Sequence, residues 1–423
     1  MKLPSFHFVL VLAGVALATG PVLGQPAPSG KPSQPAQPGQ TTPPSPASSP
    51  VQTPSLAPSS LATLRSGQGP ANLHVHAVSM QGVLASEAEE APKWLAWDQV
   101  AGVSGPASAE AAAFLPMAAD LWRARARLER GDVPGAEGIF EAQGTVLVGQ
   151  QGPSSALVAS GLMRCALWRG AWASAVRPML GYVYAIGGGD DDWWPRPAPK
   201  RDEVRDIDLG DPLFFDESLG LSPAIPPVFL NLPATRVLAN EDWANVAPAG
   251  SRAERLAGLY RLGATLEGQP GGVMPERATD DEGLALVWDV LGARFSEGGE
   301  RSVSRARLRE RLLRPHPLWL EVWCKVAIGR SLVHELDRDQ KLMGVAALLE
   351  PAARYPREHP YLTGLAMAEA AAALSELGDA EGAWRLKTEL GELFPTHPAL
   401  GWDAIVRVVA PAPHANKDHG GTP

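Results

Sequence analysis

Acidic and aromatic side chains that could do chemistry are concentrated in one proline-rich stretch of the chain. Asp190–Asp192 directly precede Trp193 and Trp194, and Asp216 and Glu217 follow in the same stretch. Oxygen-rich loops bind calcium, and two carboxylates beside tryptophan can hydrolyse a glycosidic bond. The spacing of a calcium loop, with its central Gly and terminal Glu, is absent. We therefore favour solvated loop charge, with calcium binding and catalytic carboxylates as the two alternatives.

The two adjacent tryptophans are the strongest hint of ligand contact in this stretch. Neighbouring residues in a polar loop cannot easily face one core together, so Trp193 or Trp194 is a candidate for an exposed, ligand-binding ring. Most other tryptophans recur at helical spacing, which predicts core packing rather than a sugar-binding platform. These are Trp122, Trp168, Trp172, Trp288, Trp319, Trp323, Trp384 and Trp402.

Histidines offer only fragments of a metal site. His74 and His76 share one face of a predicted strand and would supply half of a site. His334 and Glu335 begin like the helix of a zinc protease, but Arg338 stands where the second His must lie to share that helix face. We therefore expect no metal site.

Histidine-proline pairs mark a recurring boundary later in the chain. Proline follows His316, His359 and His397, and these histidines lie 43 and then 38 residues apart. Such a period is expected of stacked helix pairs, and proline suits the first position of a helix. Equivalent residues of stacked pairs lie about 10 Å apart, too far for shared coordination at metal bonds of about 2 Å. We interpret the three histidines as helix-entry residues.

Signatures of nucleophilic and cofactor-dependent catalysis are absent from the sequence. It has no Gly-x-Ser-x-Gly elbow, no phosphate-binding loop and no dinucleotide fingerprint, so we expect no catalysis and no cofactor. The only cysteines, Cys165 and Cys324, lie far apart in apolar surroundings. We expect two separate buried thiols, with pairing in an oxidising compartment as the alternative.

The N-terminal part is typical of an export signal followed by a tether. Lys2 precedes an apolar run from Phe8 to Ala18, which is shorter than the roughly 20 residues of a membrane span. We expect a signal peptide over residues 1–24, with an uncleaved anchor as the alternative. Residues 25–70 are rich in Pro, Ser and Gln and predict a disordered linker.

The elements that would position these residues follow from changes in periodicity. Short alternating runs rich in Val and Trp predict a small β element of two or three strands over residues 71–105. Helical spacing sets in over residues 106–187 and returns over residues 251–410. Between them, residues 188–250 form a proline-rich insertion loop, whose apolar residues we expect to be pinned along the helices. Residues 411–423 predict a disordered tail.

One turn occurs twice in the helical regions. Gly131 is followed by Asp132, and Gly378 by Asp379, with a further Gly and Ala at the same later positions. Gly suits the left-handed conformation that ends a helix, and Asp caps the next helix through its carboxylate. A third helix pair is predicted around Gly170, where small-residue spacing replaces the Asp. Each pair should therefore form a helical hairpin.

Two capping boxes predict the beginnings of two further helices. Ser251 with Glu254, and Thr279 with Glu282, have the spacing in which the first side chain caps the backbone three residues later.

The stretch from Leu362 to Pro398 resembles a tetratricopeptide repeat (TPR), a helical hairpin of about 34 residues. The small, turn and terminating positions of that pattern are occupied by Ala371, Gly378, Asp379, Ala383 and Pro395. Lys387 departs from it, because a large apolar residue is usual there. The resemblance covers roughly residues 108–186 and 318–410. We therefore expect a mainly α fold: an α-solenoid of TPR-like hairpins with a small N-terminal β element and one long irregular insertion.

This architecture implies binding rather than chemistry. Stacked helix pairs leave a concave surface, lined by the first helix of each pair, that binds a protein or peptide. The net charge of −9 disfavours nucleic acid as a partner, and no membrane contact is expected beyond the signal region. The expected function is an exported, periplasmic or secreted scaffold. The alternatives are a glycan-binding or glycan-hydrolysing protein that uses the insertion, and a purely structural envelope component.

Overall fold

The computed structural model describes residues 59–65, 72–87, 90–187, 215–268, 273–277, 280–356 and 358–411. All of them belong to the compact unit that spans Leu56–Pro423. The predicted signal peptide, most of the linker, the insertion from 188 to 214 and the tail from 412 lie outside the described residues. Trp193 and Trp194 fall in that insertion. Within the described part the protein is mainly helical, with a small antiparallel sheet near its beginning.

The sheet has five strands among the described residues. They are β1 (Leu61–Leu64), β2 (Asn72–Ser79), β3 (Gly82–Ser86), β4 (Lys93–Leu95) and β5 (Val100–Ser104), in the spatial order β4-β3-β2-β1-β5. The predicted small sheet is therefore present, but it is larger than expected. Assigning Leu61–Leu64 to the disordered linker was wrong, because β1 pairs with both β2 and β5 and buries Ala62 and Leu64.

Fourteen α-helices follow in the described residues. The first seven are α1 (Ser108–Ala112), α2 (Leu115–Glu129), α3 (Val133–Leu147), α4 (Pro153–Trp168), α5 (Trp172–Ile186), α6 (Pro233–Asn240) and α7 (Arg252–Gly268). The others are α8 (Glu282–Phe295), α9 (Gly298–Leu312), α10 (Leu318–Val333), α11 (Arg338–Arg354), α12 (Pro360–Glu376), α13 (Ala380–Leu393) and α14 (Asp403–Val406). None of these helices is both long and apolar enough to cross a membrane. Helix α6 corrects the expectation that residues 188–250 form only an irregular loop.

The turns predicted from the repeated Gly-Asp pairs are confirmed. Gly131 and Gly378 adopt positive φ angles of 78° and 87° at the helix ends. Asp132 caps α3 by accepting a hydrogen bond of 3.1 Å from the Gly135 backbone, and Asp379 caps α13 in the same way. Gly170, with φ of 68°, forms the corresponding turn between α4 and α5. A left-handed glycine therefore ends the first helix of all three pairs, and in two of them an Asp caps the second helix.

The predicted capping boxes have different outcomes. Ser251 accepts a hydrogen bond of 3.1 Å from the Glu254 backbone at the start of α7, as expected. At α8 the capping residue is Asp281, which accepts a hydrogen bond of 2.9 Å from the Leu284 backbone. The prediction of Thr279 as the cap was therefore wrong, because the helix begins two residues later than its spacing suggested.

From α2 to α13, each helix packs against its neighbour in the chain. Helix α10 also contacts both α8 and α12. Close approach depends on glycine at some of these contacts. A Cβ at Gly161 of α4 would lie 2.5 Å from the ring of Phe140 on α3, and one at Gly364 of α12 would lie 2.6 Å from the imidazole of His397.

The core consists of two clusters of buried side chains. The smaller cluster joins the sheet to α2, α3 and one side of α4, and it includes Trp97 and Cys165. The larger joins α5, α7, α8, α10 and α12, and it includes Met163 from α4. Helix α4 therefore contributes to both. Trp319 and Trp323 are buried as predicted, whereas Trp122 and Trp168 are 47% and 63% exposed, so their assignment to the core was wrong.

Candidate functional site

The first helices of the C-terminal pairs enclose a piece of chain that is neither helix nor strand. Residues 221–230, which we call the internal segment, are all buried, and their apolar side chains from Leu221 to Leu230 belong to the larger core cluster, the prolines excepted. Helices α8, α10 and α12 are correspondingly buried on nearly all sides. The expectation that apolar residues of the insertion are pinned along the helices is confirmed for this part. The surface of these C-terminal helices that was expected to receive a partner is occupied by the internal segment.

Two side chains from different helices bind the carbonyl oxygen of Pro223. The indole N–H of Trp323 on α10 donates a hydrogen bond of 3.0 Å, and Nε2 of His359 lies 3.0 Å from the same oxygen. Nδ1 of His359 accepts from the Leu362 backbone at 3.3 Å and caps α12. The ring must therefore be neutral with its proton on Nε2, and burial lowers the pKa of His359 to about 4.

Two buried phenols bind the next part of the internal segment. The hydroxyl of Tyr260 on α7 donates a hydrogen bond of 2.5 Å to the Ile225 carbonyl, and that of Tyr361 on α12 donates one of 2.7 Å to the Val228 carbonyl. Burial raises the pKa of both tyrosines, so the hydroxyls stay protonated as donors.

The composition of the internal segment explains how it can be buried without a sheet. Pro223, Pro226 and Pro227 have no backbone N–H, so this stretch brings fewer donors that need a partner. The amide of Ile225 is satisfied locally by the Ser222 carbonyl at 3.1 Å. The carbonyl oxygens that face the helices are satisfied by side chains instead. The segment is therefore a fixed part of the interior.

A buried ionic network ties the enclosing helices together. Arg330 on α10 donates to Glu369 on α12 at 2.6 Å and to the Phe229 carbonyl at 2.9 Å, and it lies 3.3 Å from Glu267 on α7. Arg294 on α8 adds a contact of 3.4 Å to Glu267. Burial disfavours the charge on Arg330, but the two carboxylates outweigh it and raise the pKa of Arg330. The network balances two positive and two negative charges, and its role is to hold four helices and the internal segment together.

Asp216 and Glu217, predicted as site candidates, have different environments. The Asp216 carboxylate accepts hydrogen bonds from the Ser218 hydroxyl at 2.6 Å and from the Leu219 backbone at 3.0 Å, which makes it a turn-forming residue. Glu217 lines a cavity of about 440 Å³ together with Tyr182, and Asp216 is not among the residues that line it. The structure does not bring the two carboxylates together in one cavity.

Two other carboxylates around this cavity, Asp280 and Asp281, are held by arginines. Arg252 binds Asp281 through two hydrogen bonds of 2.6 and 3.1 Å, and Arg255 binds Asp280 at 2.8 Å. These contacts hold the pKa of both carboxyls below the usual value, although burial opposes the effect at Asp281. Burial and the nearby Glu217 raise the pKa of Tyr182. The geometry supports an acidic cavity with one aromatic wall, where Tyr182 meets Phe215 edge to face at 5.1 Å.

Two of the three histidines that precede proline are helix-entry residues, as predicted, whereas at α10 the capping position is Pro317 and not His316. His359 caps α12, and His397 caps a short 3-10 helix at Pro398–Gly401 while its Nε2 lies 2.9 Å from the Tyr361 carbonyl. His76 shares a hydrogen bond of 2.7 Å with Ser86 on β3. Ser86 lies opposite the exposed His74 in the sheet register. Among the described residues, no group of three or more His, Cys, Asp or Glu is placed to hold a metal ion.

A second concave surface, which we call the α3–α5 groove, is open to solvent. Its floor is α4 and its walls are α3 and α5, with a volume of about 660 Å³. The α3 wall runs from Glu137 to Val148, a length of about 16 Å at 1.5 Å per residue. Asn245 closes one end of the groove. Its carbonyl oxygen lies so close to Gly149 that a Cβ added to this glycine would be 2.6 Å from it. Other lining residues are Glu141, Leu162, Arg177 and Pro178.

At its closed end the groove deepens into a small apolar pocket of about 70 Å³. The pocket shares Val148, Leu162, Arg177 and Pro178 with the groove. Val148 is 40% exposed there, and Val146 on the same helix is 51% exposed. The sequence reasoning did not single out these residues. The sequence feature that could have indicated the groove is a Gly within each wall helix, Gly144 in α3 and Gly181 in α5.

No protein-family model, no curated protein and no solved structure matches this chain. Function is therefore inferred from the geometry of the described residues.

Proposed function

We propose that the protein is an exported scaffold of stacked TPR-like hairpins that binds a protein or peptide partner in the α3–α5 groove. The single observation that carries this location is the internal segment. It occupies the first-helix surface of α10 and α12, so the open concavity with exposed apolar residues lies instead over α3, α4 and α5. The proposed role is binding without catalysis.

The stacked architecture is supported by contacts between neighbouring pairs. Helix α3 packs on α4 as well as on its own partner α2, and α11 packs on α12 as well as on α10. The same Gly turn and Asp cap occur in the first and last pairs, at Asp132 and Asp379. Contacts of each pair with the next are the arrangement expected of a repeat array.

The groove has the composition of a peptide-binding surface. Its floor and closed end are apolar, with Leu162 and Val148 accessible, and its rim is charged. Across the rim, Arg169 pairs with Glu137 at 2.8 Å, and Arg177 pairs with Glu241 at 2.7 Å. An apolar centre with a polar rim is the usual anatomy of a protein interface.

Export rests on the N-terminal sequence, with Lys2 before a short apolar run and a Pro/Ser/Gln-rich tether after it. N-terminal sequencing of the protein recovered from its native envelope or medium tests this part. A start at residue 25 is the expected result. A chain that keeps Met1 would favour an anchored form.

Photo-crosslinking in the full chain tests partner binding. A benzophenone amino acid at Thr145, which lines the groove, should give adducts with envelope proteins. The matched control places the same group at Val303 on α9, which is 39% exposed and away from the groove. Adducts from Thr145 that are lost in excess unlabelled protein support the proposal. Equal adducts from both positions, or none from Thr145, contradict it.

Glycan binding is a second candidate, favoured by the cavity that Glu217 lines. The cavity combines several carboxylates with the Tyr182–Phe215 pair, and sugars are commonly bound by hydrogen bonds to acids beside an aromatic ring. Calorimetric titration with a panel of oligosaccharides tests it. A saturable signal that Glu217→Gln abolishes and Glu276→Gln preserves would favour this function over partner binding in the groove.

A further inference from the structure

We infer that the apolar pocket of the α3–α5 groove receives one aliphatic side chain of the partner, and that the same partner segment carries a basic side chain about two helical turns away. The inference rests on the proposed function and specifies the chemistry of the partner. Three features support it: glycines that leave space open, Gly144 in the groove and Gly181 in the pocket, an unpaired carboxylate on the rim, and a backbone carbonyl without its helical donor.

The two glycines have no packing reason to be there. Gly in a helix interior is destabilising relative to Ala. At Gly161 the cost has a local cause, because a Cβ would lie 2.5 Å from the ring of Phe140. At Gly144 and Gly181 the nearest atoms would lie at 3.6 and 3.8 Å, which is ordinary contact. Alanine would fit both positions, and a larger side chain at either would fill the cavity.

The pocket, which Gly181 borders, is suited to an aliphatic group. Its walls include Leu147, Val158, Ala159 and Leu162, and it opens into the wider groove. Burying one Leu or Val side chain from water is favourable by about 1.5–3 kcal/mol. Such an anchor is therefore worth about tenfold or more in affinity.

The charge left on the rim is negative. Arg169 and Arg177 are neutralised by Glu137 and Glu241, whereas Glu141 has no ion pair within the described ranges. Glu141 lies seven residues before Val148, which lines the pocket, so the free carboxylate and the pocket are about 10 Å apart along the helix axis. A cationic side chain about two helical turns from the aliphatic one would meet this carboxylate.

A backbone carbonyl oxygen on the α5 wall can accept a hydrogen bond from the same partner segment. Pro178 lies inside α5 and has no N–H, so the carbonyl oxygen of Ser174 lacks the donor that a helix normally supplies. Ser174 and Pro178 both line the groove. A carboxylate and an unclaimed carbonyl both favour a partner that donates hydrogen bonds, and the net charge of −9 attracts a cationic segment.

Designed peptides test this chemistry on the full chain. The probe is an acetylated and amidated octapeptide that repeats lysine-alanine-alanine-leucine, with two matched peptides carrying glutamate for lysine or alanine for leucine. Binding is followed by methyl NMR shifts of Val148 and Leu162. We expect the lysine-leucine peptide to bind, the alanine peptide to bind at least tenfold more weakly, and the glutamate peptide several-fold more weakly. Equal binding of the three, or tightest binding of the glutamate peptide, would overturn the inference.

Variants of the protein locate the site. Gly181→Leu fills the pocket and should weaken the lysine-leucine peptide at least tenfold. Its matched control is Gly138→Leu on α3, where a Cβ meets nothing within 4 Å and the affinity should be unchanged. If Gly181→Leu lowers the thermal midpoint, Gly181→Ala replaces it, with a smaller loss of affinity expected. Undiminished binding by a folded pocket variant would place the peptide elsewhere and contradict the inference.

The crosslinking experiment at Thr145 separates the two proposals. If captured partner segments depend on the groove but lack the aliphatic and basic pair, the inference fails and the proposed function stands. If neither peptides nor proteins depend on the groove, both fail.

Discussion

Nε2 of His359 donates to the carbonyl oxygen of Pro223 over 3.0 Å, across 136 residues of sequence. Because Nδ1 of the same ring caps α12, one neutral imidazole holds both a helix start and the internal segment. His397 repeats the arrangement, with Nδ1 accepting from the Ala399 backbone at 3.1 Å and Nε2 directed to the Tyr361 carbonyl. Protonating either ring would remove an acceptor that its helix needs.

This relationship predicts a loss of stability in mild acid. Burial lowers the pKa of His359 and of His397 to about 4, against 6.5 in the unfolded chain. Above pH 6.5 the rings are neutral in both states, and below it the unfolded chain takes up protons first. The free energy of unfolding should therefore fall as the pH drops from 6.5 to 4, by about 3 kcal/mol for each ring.

Denaturant unfolding at several pH values between 7.5 and 4 measures this slope. His359→Asn should flatten it, while His74→Asn, which changes an exposed residue of the sheet, should leave it unchanged. The same slope in the wild-type protein and His359→Asn would contradict the assignment.

Removing one phenol from the internal segment should destabilise the fold without changing its shape. Tyr361→Phe deletes the hydroxyl that binds the Val228 carbonyl at 2.7 Å and leaves that buried oxygen unsatisfied. We expect the free energy of unfolding to fall by about 1–3 kcal/mol. Tyr355→Phe is the control, since its hydroxyl binds Glu321 at 3.2 Å in a partly exposed position and should matter much less. A similar loss in both variants would argue against a special role for the internal segment.

Removing one member of the buried ionic network should lower the free energy of unfolding far more than removing an oppositely charged pair. Arg330→Met leaves Glu369 and Glu267 buried with less compensation, and we expect a loss of about 3–5 kcal/mol in chemical denaturation. Adding Glu369→Leu should restore part of that loss, because Glu267 keeps Arg294. Arg385→Met, which breaks the exposed pair with Glu381, should cost less than about 1 kcal/mol. Additive losses in the Arg330 and Glu369 variants would count against coupling.

Alanine at the two groove glycines should stabilise the protein. Gly144→Ala and Gly181→Ala remove backbone freedom from the unfolded chain and place a methyl group at ordinary contact distance. Each should raise the free energy of unfolding by about 0.5–1 kcal/mol. Gly161→Ala should lower it, since the added carbon would meet the ring of Phe140 at 2.5 Å. Thermal unfolding of the three variants measures these changes. A loss of stability in Gly144→Ala or Gly181→Ala would show that packing requires glycine at that position.

The two thiols should resist modification in the folded protein. Cys165 and Cys324 are buried and free, and burial raises their pKa to about 11 and about 12. Because the thiolate is the reactive form, iodoacetamide should label neither at pH 8 until the chain unfolds. Intact mass spectrometry with and without denaturant checks this. Rapid labelling of the native protein would show that one thiol is accessible.

Local features were the part of the fold that the sequence predicted well. Gly131, Gly170 and Gly378 end helices because only glycine enters the left-handed region without strain, and that signal is contained in a few neighbouring residues. The start of α8 was misplaced because an Asp and a Thr two residues apart are both good caps.

Contacts between distant residues could not be predicted. The burial of the internal segment depends on Trp323, His359 and Tyr361, which lie 100 or more residues away. Periodicity also cannot tell which side of a helix meets a neighbour, so Trp122 and Trp168 were placed in the core although they face solvent. The α3–α5 groove was missed for the same reason, since it arises between three helices rather than in one.

The position of the internal segment has a consequence for synthesis of the chain. Residues 221–230 leave the ribosome well before α10 and α12, the helices that will cover them, and the partner of Pro223 at His359 is made 136 residues later. During that interval Val228, Phe229 and Leu230 remain without their cover. The prolines at 223, 226 and 227 limit strand pairing with other nascent chains, because they remove the donors that a β ladder requires. The three prolines that reduce the number of donors to be satisfied on burial therefore also limit strand pairing of the growing chain before α10 and α12 are made.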